Sequence, residues 1–283
     1  MQSSSEKLLT EIGQSRNGYL QNTSILSSVP DNVSSGVNPK ISVIIPVLQE
    51  EKILEKTLQA YTQELREKYS LEIIISDGGS TDRTIEIAEK YADKIVLHEK
   101  KEKQTIAEGR NNGARKAVGN VLVFINGDTI PKNPESFFDF IYNWTENKSS
   151  YNDSVALACP VTVVEDEILF RDKVFYTCHN FYVRMLNAIG LGMGRGECQI
   201  VKKDSFYRVG GYNELIAAGE DFDLYRRIAR IGKVSFAKDT WVYESPRRFR
   251  KYGYFRIIMS WTINSLSVWI RGRSVSDEWE PVR

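Results

Sequence analysis

The sequence predicts an α/β fold built on a doubly wound, mostly parallel sheet with helices on both faces. Three observations predict it. Short runs rich in Ile and Val alternate with longer segments whose apolar residues recur at helical spacing, the order that produces helix-covered parallel sheets. The short runs are apolar throughout rather than alternating, the pattern of strands buried on both faces. Three of them stop abruptly in polar loops bearing Asp, Asn or Gly, and in such sheets ligands bind outside the carboxyl ends of the strands.

The elements follow in order. Residues 1–39 are rich in Ser, Asn and Gly and read as a flexible polar leader, with one short helix over 6–12. Residues 41–46 form a buried strand stopped by Pro46. A helix over 49–69 follows, with Ile53, Leu54, Leu58, Tyr61 and Leu65 on one face. Residues 71–75 are the second strand. Asp82 sits as a cap before a helix over 84–91, and 94–97 are the third strand. Residues 99–103 are a charged, solvated loop, and 106–118 are a helix rich in Ala, Gly, Arg and Asn.

The fourth strand, 121–125, is five apolar residues in a row, and it ends in Asn126-Gly127-Asp128-Thr129. A carboxylate and a carboxamide two apart at a strand's carboxyl end are hard oxygen ligands for a divalent cation that also holds phosphates. The same residues are good turn chemistry. Asp77, ahead of two glycines, is a candidate acceptor for a base ring N–H where the backbone passes close to the ligand.

In the second half, 133–143 read as a helix, 143–154 as a polar loop, and 155–158 and 160–164 as strands. Residues 169–189 form an aromatic helix whose Phe170, Phe175, Tyr176, Phe181, Tyr182 and Met185 read mainly as core, some of them lining an acceptor site. The stretch 190–196 holds four glycines and lacks the Lys-Ser/Thr ending of a phosphate loop. A strand at 198–202, a helix over 222–231 and a strand within 233–243 complete the domain. Glu220 and Asp221 precede that helix, where acids favour the first turn and where a carboxylate can also serve as a general base.

At 247 the character changes. Arg247, Arg248, Arg250, Lys251 and Arg256 interleave with Phe249, Tyr252, Tyr254 and Phe255. An apolar helix over 257–270 follows, too short for a bilayer span, which needs about 20 residues. Two readings stand open: an interfacial helix touching a membrane through 247–270, or a helix packed on the core or on a second subunit as a homodimer. The divisions expected are a leader (1–39), an α/β domain (40–246) and a basic, aromatic helical segment (247–283).

Composition bounds the class. The chain has 283 residues, 41% hydrophobic and 27% charged, enough for a sizeable core in one large or two small domains. A net charge of +1 gives no global field for nucleic acid. Three cysteines without a Cys-x-x-Cys pair read as free thiols in a reducing compartment, the cytoplasm. Two histidines argue against a His-rich zinc site. No apolar run opens the chain, so no signal peptide is read and the sequons at Asn22, Asn32, Asn143, Asn147 and Asn152 carry no glycosylation reading.

The blocks Val43-Ile-Ile-Pro-Val-Leu-Gln-Glu-Glu51, Ser76-Asp-Gly-Gly-Ser-Thr-Asp82, Phe124-Ile-Asn-Gly-Asp-Thr129 and Gly219-Glu-Asp-Phe-Asp-Leu224 together resemble the signature blocks of family 2 glycosyltransferases, which have the GT-A fold. The resemblance covers residues 40 to 245. It implies that Pro46, Val47 and Glu50 cup the nucleotide base and ribose, that Asp77 with Gly78 binds the base, and that Arg110 faces the diphosphate. It implies Asp128 as the ligand of an Mg²⁺ or Mn²⁺ ion, with Asn126 and Gly127 beside it. The family has Asp-x-Asp here; Asn126 keeps the oxygen and loses the charge, leaving the metal to Asp128 and the diphosphate. Arg247 and Arg248 are further candidates for phosphate. Asp221 takes the role of base, and Glu220 holds the acceptor or caps the helix.

The function so implied is metal-dependent, inverting transfer of a sugar from a UDP- or GDP-sugar to a hydroxyl acceptor, a glycan or a lipid-linked molecule, at the inner face of the membrane if 247–270 binds it. A divalent cation neutralises the leaving diphosphate as a Lewis acid. The alternatives are a retaining GT-A enzyme and a non-catalytic nucleotide-sugar-binding protein on the same scaffold. A nucleotidyltransferase would carry a Gly-rich loop ending in Arg and Lys where this chain has Val47-Leu-Gln-Glu50.

Overall fold

The computed structural model describes residues 40–100 and 102–276. The expected leader with its helix over 6–12, Lys101, and the tail beyond 276 lie outside the described residues. The strands are β1 (Ile41–Val47), β2 (Leu71–Asp77), β3 (Lys94–Leu97), β4 (Val121–Ile125), β5 (Thr129–Pro131), β6 (Ser154–Ala158), β7 (Val161–Thr162), β8 (Cys198–Lys202), β9 (Lys233–Phe236) and β10 (Val242–Glu244). Seven form the main sheet, in the order β3-β2-β1-β4-β8-β6-β9. β8 alone runs against the rest, antiparallel to β4 and β6; the other pairings are parallel. The sheet is therefore mostly parallel, as the sequence predicts.

The helices are α1 (Leu54–Leu58), α2 (Gln63–Tyr69), α3 (Thr84–Ala88), α4 (Ile106–Lys116), α5 (Pro134–Thr145), α6 (Phe170–Ala188), α7 (Lys203–Arg208), α8 (Glu220–Ala229), α9 (Arg247–Tyr252) and α10 (Tyr254–Arg271). They bury both faces of the sheet. Val43, Ile45 and Val123 point into a core shared with α1, α2 and α5. Ile44, Leu122 and Phe124 point to the opposite core, shared with α4, α7 and α8. The side-chain period of two along a strand makes this division. Each fully buried Ile or Val stabilises the fold by about 1.5–3 kcal/mol. Gly113 lets α4 approach the sheet: a Cβ there would lie 2.4 Å from Ile44 Cγ2.

Several expectations need correction. The single helix over 49–69 is two, because Thr62 starts a new one by accepting a hydrogen bond from Leu65 N at 3.3 Å. The aromatic helix α6 is mostly not core: Tyr176 is buried and Phe175 packs against the core, but Phe170, Phe181, Tyr182 and Met185 are exposed. The small sheet β5-β10-β7 was not legible in the sequence. Residues 247–276 are not set apart from the domain. Phe249 and Ile257 enter its core, and Arg250 donates to buried Asp172 of α6 at 2.7 Å.

The close approach at Gly113 predicts that Gly113→Val overpacks the α4–β1 contact. The expected cost is about 2 kcal/mol, read as a thermal midpoint lowered by roughly 4–8 °C. An unchanged midpoint would mean that α4 can move off the sheet freely.

Candidate active site

Three loops meet at the carboxyl edge of β1, β2 and β4, and backbone polar groups bind them together. Gly78 N donates to Val47 O at 2.9 Å. Gln49, at φ 56, is held in that left-handed conformation by contacts to the second loop. Its N donates to Ser80 Oγ at 2.9 Å, and its Oε1 accepts from Thr81 N at 3.0 Å and Asp82 N at 3.1 Å. Thr57 Oγ1 of α1 donates to Gly127 O at 2.8 Å, which fixes the third loop. Asp82 is not the expected helix cap, since Arg83 holds that position; its Oδ1 accepts from Thr84 N at 3.0 Å as a turn contact before the helix.

These loops open onto a cleft of about 1220 Å³ lined by Pro46, Val47, Glu50, Gly78, Asn126 and Asp128 at one end. Gly127 and Arg110 also line it. Asp77 sits behind that wall. Its Oδ2 accepts from Gly79 N at 2.8 Å and Ser80 N at 2.9 Å, while its buried Oδ1 has no partner. An unpaired buried acceptor beside a ligand loop is a place for an incoming donor.

Arg110 stands differently from expectation. Its guanidinium is buried, and its Nη donors go to the protein. Nη1 donates to Glu220 Oε1 at 2.7 Å; Nη2 donates to Asn126 Oδ1 at 3.0 Å and Gly196 O at 2.6 Å. The Tyr212 ring lies 5.2 Å from the guanidinium carbon. Arg110 thus organises the site. Asn126 Oδ1 accepts from Arg110, and Asp128 is the carboxylate of that loop. Glu220 is held by Arg110, and Gly219 is the residue at the helix cap.

Asp221 lies next to this pair at the start of α8, partly open to the cleft. Burial and then the neighbouring Glu220 push its carboxyl up to about 7, against the pull of Arg110. A carboxylate near 7 is poised to exchange protons at neutral pH.

Two carboxylates converge on one cation at the loop end of the cleft. Arg247 Nη2 lies 3.0 Å from Asp128 Oδ2 and 3.3 Å from Glu50 Oε1. The small sheet brings them there, since β5 follows Asp128, β10 precedes Arg247, and Glu244 pairs with Thr129. Hard carboxylate oxygens facing a cleft fit Mg²⁺ or Mn²⁺, which are held by one or two carboxylates together with substrate phosphates. Among the described residues no cluster of three or more His, Cys, Asp or Glu makes a complete cage.

Sequence reasoning missed one group. Buried Arg195, the lone charge inside the Gly-rich loop, contacts Glu197 at 3.2 Å and Glu244 at 3.6 Å. Tyr176 also donates to Glu244. Burial and the adjacent Glu197 push the Glu244 carboxyl well up. The signal available was an arginine between glycines with an acid beside it. Gly192, at φ +72, lets that loop lie on α8, where a Cβ would meet Tyr225 O at 2.4 Å. The three cysteines are free, as expected, with Cys159 and Cys198 buried.

Comparisons with known proteins bear on this site. The family model for glycosyl transferase family 2 matches residues 42–207, so Glu220 and Asp221 lie beyond the matched segment. Glycosyltransferase AglE of Haloferax volcanii is 35% identical over 96 residues, covering 33% of this chain and 32% of its own length. Validoxylamine A glucosyltransferase of Streptomyces hygroscopicus subsp. limoneus is 24% identical over 236 residues, covering 74% of this chain and 52% of its own. The chain therefore spans about a third to a half of these curated relatives. The mannosyltransferase PcManGT of Pyrobaculum calidifontis, solved with GDP-Man and Mn²⁺, superposes with a TM-score of 0.61 at 18% identity, over 93% of this chain and 71% of that one. Residues 1–349 of S. aureus TarS, solved with UDP-GlcNAc, give 0.52 at 18% identity, over 75% and 64%. These two likenesses establish the GT-A-type fold.

The Glu220–Asp221 contact predicts that Glu220→Gln moves the Asp221 midpoint clearly below 7. One adjacent negative charge is removed and Arg110 is freed to act on Asp221. Carboxyl ¹³C NMR titration reads it; a midpoint that stays at 7 would leave burial as the whole cause.

Proposed function

The chain belongs to glycosyl transferase family 2, and from that premise we propose that it moves a sugar from a nucleotide-diphosphate donor to a hydroxyl acceptor with inversion. The observation that carries this reading is the pairing, in one cleft, of a cation-seeking carboxylate with a carboxyl poised near 7. The first is Asp128 and the second is Asp221. The nucleotide-sugar complexes of the two structural relatives support a nucleotide-sugar donor.

Each residue does one part of the work. Val47 and Gly78 form the wall on which the base lies, and the unpaired Asp77 Oδ1 accepts from a ring N–H. Asp128, with Glu50 near it, would hold Mg²⁺ or Mn²⁺. The ion, when bound, supplies Lewis-acid neutralisation of the leaving group. Arg247, paired here with Asp128 and Glu50, would give up those carboxylates to the ion and turn its charge to the diphosphate. Arg110 holds Asn126 and Glu220 still. Asp221 takes the proton of the acceptor hydroxyl while that oxygen attacks the anomeric carbon; the carbon–oxygen bond to the diphosphate breaks in the same step. A single displacement of this kind inverts the configuration.

A panel of UDP- and GDP-sugars with Mn²⁺ or Mg²⁺ tests the roles. Asp128→Ala loses metal-dependent donor binding. Asp221→Asn keeps donor affinity and loses turnover by about 10²–10⁴-fold, the usual worth of a general base. Wild-type turnover rises with pH through about 7 as Asp221 ionises. Because folding raises this carboxyl above its unfolded value, its stabilising contribution is lost as pH rises through 7. Asp221→Asn is therefore more heat-stable than wild type at pH above 7. If no nucleotide sugar binds with either metal, the transferase reading fails.

A further inference from the structure

The outer surface of α10 is more apolar than its buried face. Ile257, Asn264, Ser267 and Val268 face inward. The outward residues Phe255, Met259, Ile263 and Ile270 form one stripe at helical spacing, with Ile258, Leu266 and Trp269 along its edge. α6 carries a second such stripe, Phe170, Val174, Phe181, Met185 and Ile189. The two helices meet where Trp261 packs on Phe175 and His179, at ring distances of 6.4 and 5.6 Å. Between them the cleft of the active site continues as an apolar trough. Tyr182 and Leu186 line one side, Ile258, Leu266 and Trp269 the other, and Phe222 closes it beside Asp221.

Charge identifies the occupant. Lys251, Arg256, Arg271 and Arg273 are exposed along this face with no acidic residue among positions 247–276, while Asp277, Glu278 and Glu280 follow in the sequence. Arg226 lies over the Trp269 ring at 5.5 Å, at the rim of the trough, and makes no ion pair among the described residues. A second copy of this chain would set basic face against basic face. Exposed apolar stripes with Trp, edged by arginines, instead match an anionic lipid surface.

Resting on the proposed transfer reaction, we infer that the α6–α10 face docks on an anionic membrane surface and that the trough takes the apolar chain of a lipid-linked acceptor. The acceptor hydroxyl then reaches Asp221 from the bilayer side, while the water-soluble donor enters from the loop side. No helix among the described residues is long and apolar enough to cross a membrane, so the contact is peripheral.

Flotation with phosphatidylcholine vesicles, with and without a third of phosphatidylglycerol, tests this on the full chain. The wild type should float with the anionic vesicles and at least tenfold less with phosphatidylcholine alone. The double variant Ile263→Glu, Ile270→Glu should lose at least tenfold of that binding, while circular dichroism and the thermal midpoint report that it is folded. A second arm measures UDP and GDP binding with Mn²⁺ on the same samples. Failure to float while nucleotide binding persists overturns the membrane inference and leaves the transfer reading intact. Equal binding to both vesicles overturns the anionic surface. A dimer dispersed by the double variant puts a second copy on this face and overturns the inference as well.

Discussion

One buried ion pair fixes the geometry of the whole cleft. Arg110 rises from α4 and holds Glu220 at the start of α8 at 2.7 Å, while its other Nη reaches Asn126 after β4 and the Gly196 carbonyl. Three segments far apart in sequence are thereby locked together where the chemistry would occur. A guanidinium buried this deeply is costly unless every neighbour is in place. Breaking such a pair from one side typically costs about 3–5 kcal/mol. The same charge sets the reactivity of Asp221, which stays near 7 because burial and Glu220 are partly balanced by Arg110.

Around this pivot the protein builds two halves of different character. The loop side is polar and cross-linked by hydrogen bonds. Gln49 knits the first loop to the second, and Thr57 ties down the third. The small sheet returns the chain so that Arg247 faces Asp128. The other side is apolar, bounded by α6, α8 and α10. The pivot joins the two sides of the cleft.

Much of this was legible in the sequence because strands buried on both faces leave an unambiguous run, as at Val121–Ile125. The loops that follow such strands lie at one edge in a sheet of this kind, so position alone brings Asp77, Asn126 and Asp128 together. What the sequence hid were interactions across long separations. Arg110 reads, by resemblance, as a residue facing the diphosphate, and nothing in the sequence places Glu220, 110 positions away, beside it. Nor does the sequence show that Arg110 donates to the Asn126 oxygen. Helical spacing in α6 and α10 announces an apolar face but cannot say whether the domain covers it, and most of those residues are left outside. The small sheet went unseen because strands of two or three residues leave no periodicity.

The most direct test of Arg110 as a fixed organiser is a crystal structure of the protein with Mn²⁺ and whichever of UDP or GDP it binds. The account predicts that the base lies over Val47 and Gly78 with a ring N–H on Asp77 Oδ1, that Arg247 has left Asp128 for the diphosphate, and that Arg110 still holds Glu220 and Asn126. An Arg110 side chain swung onto the diphosphate, with Glu220 released, would contradict it.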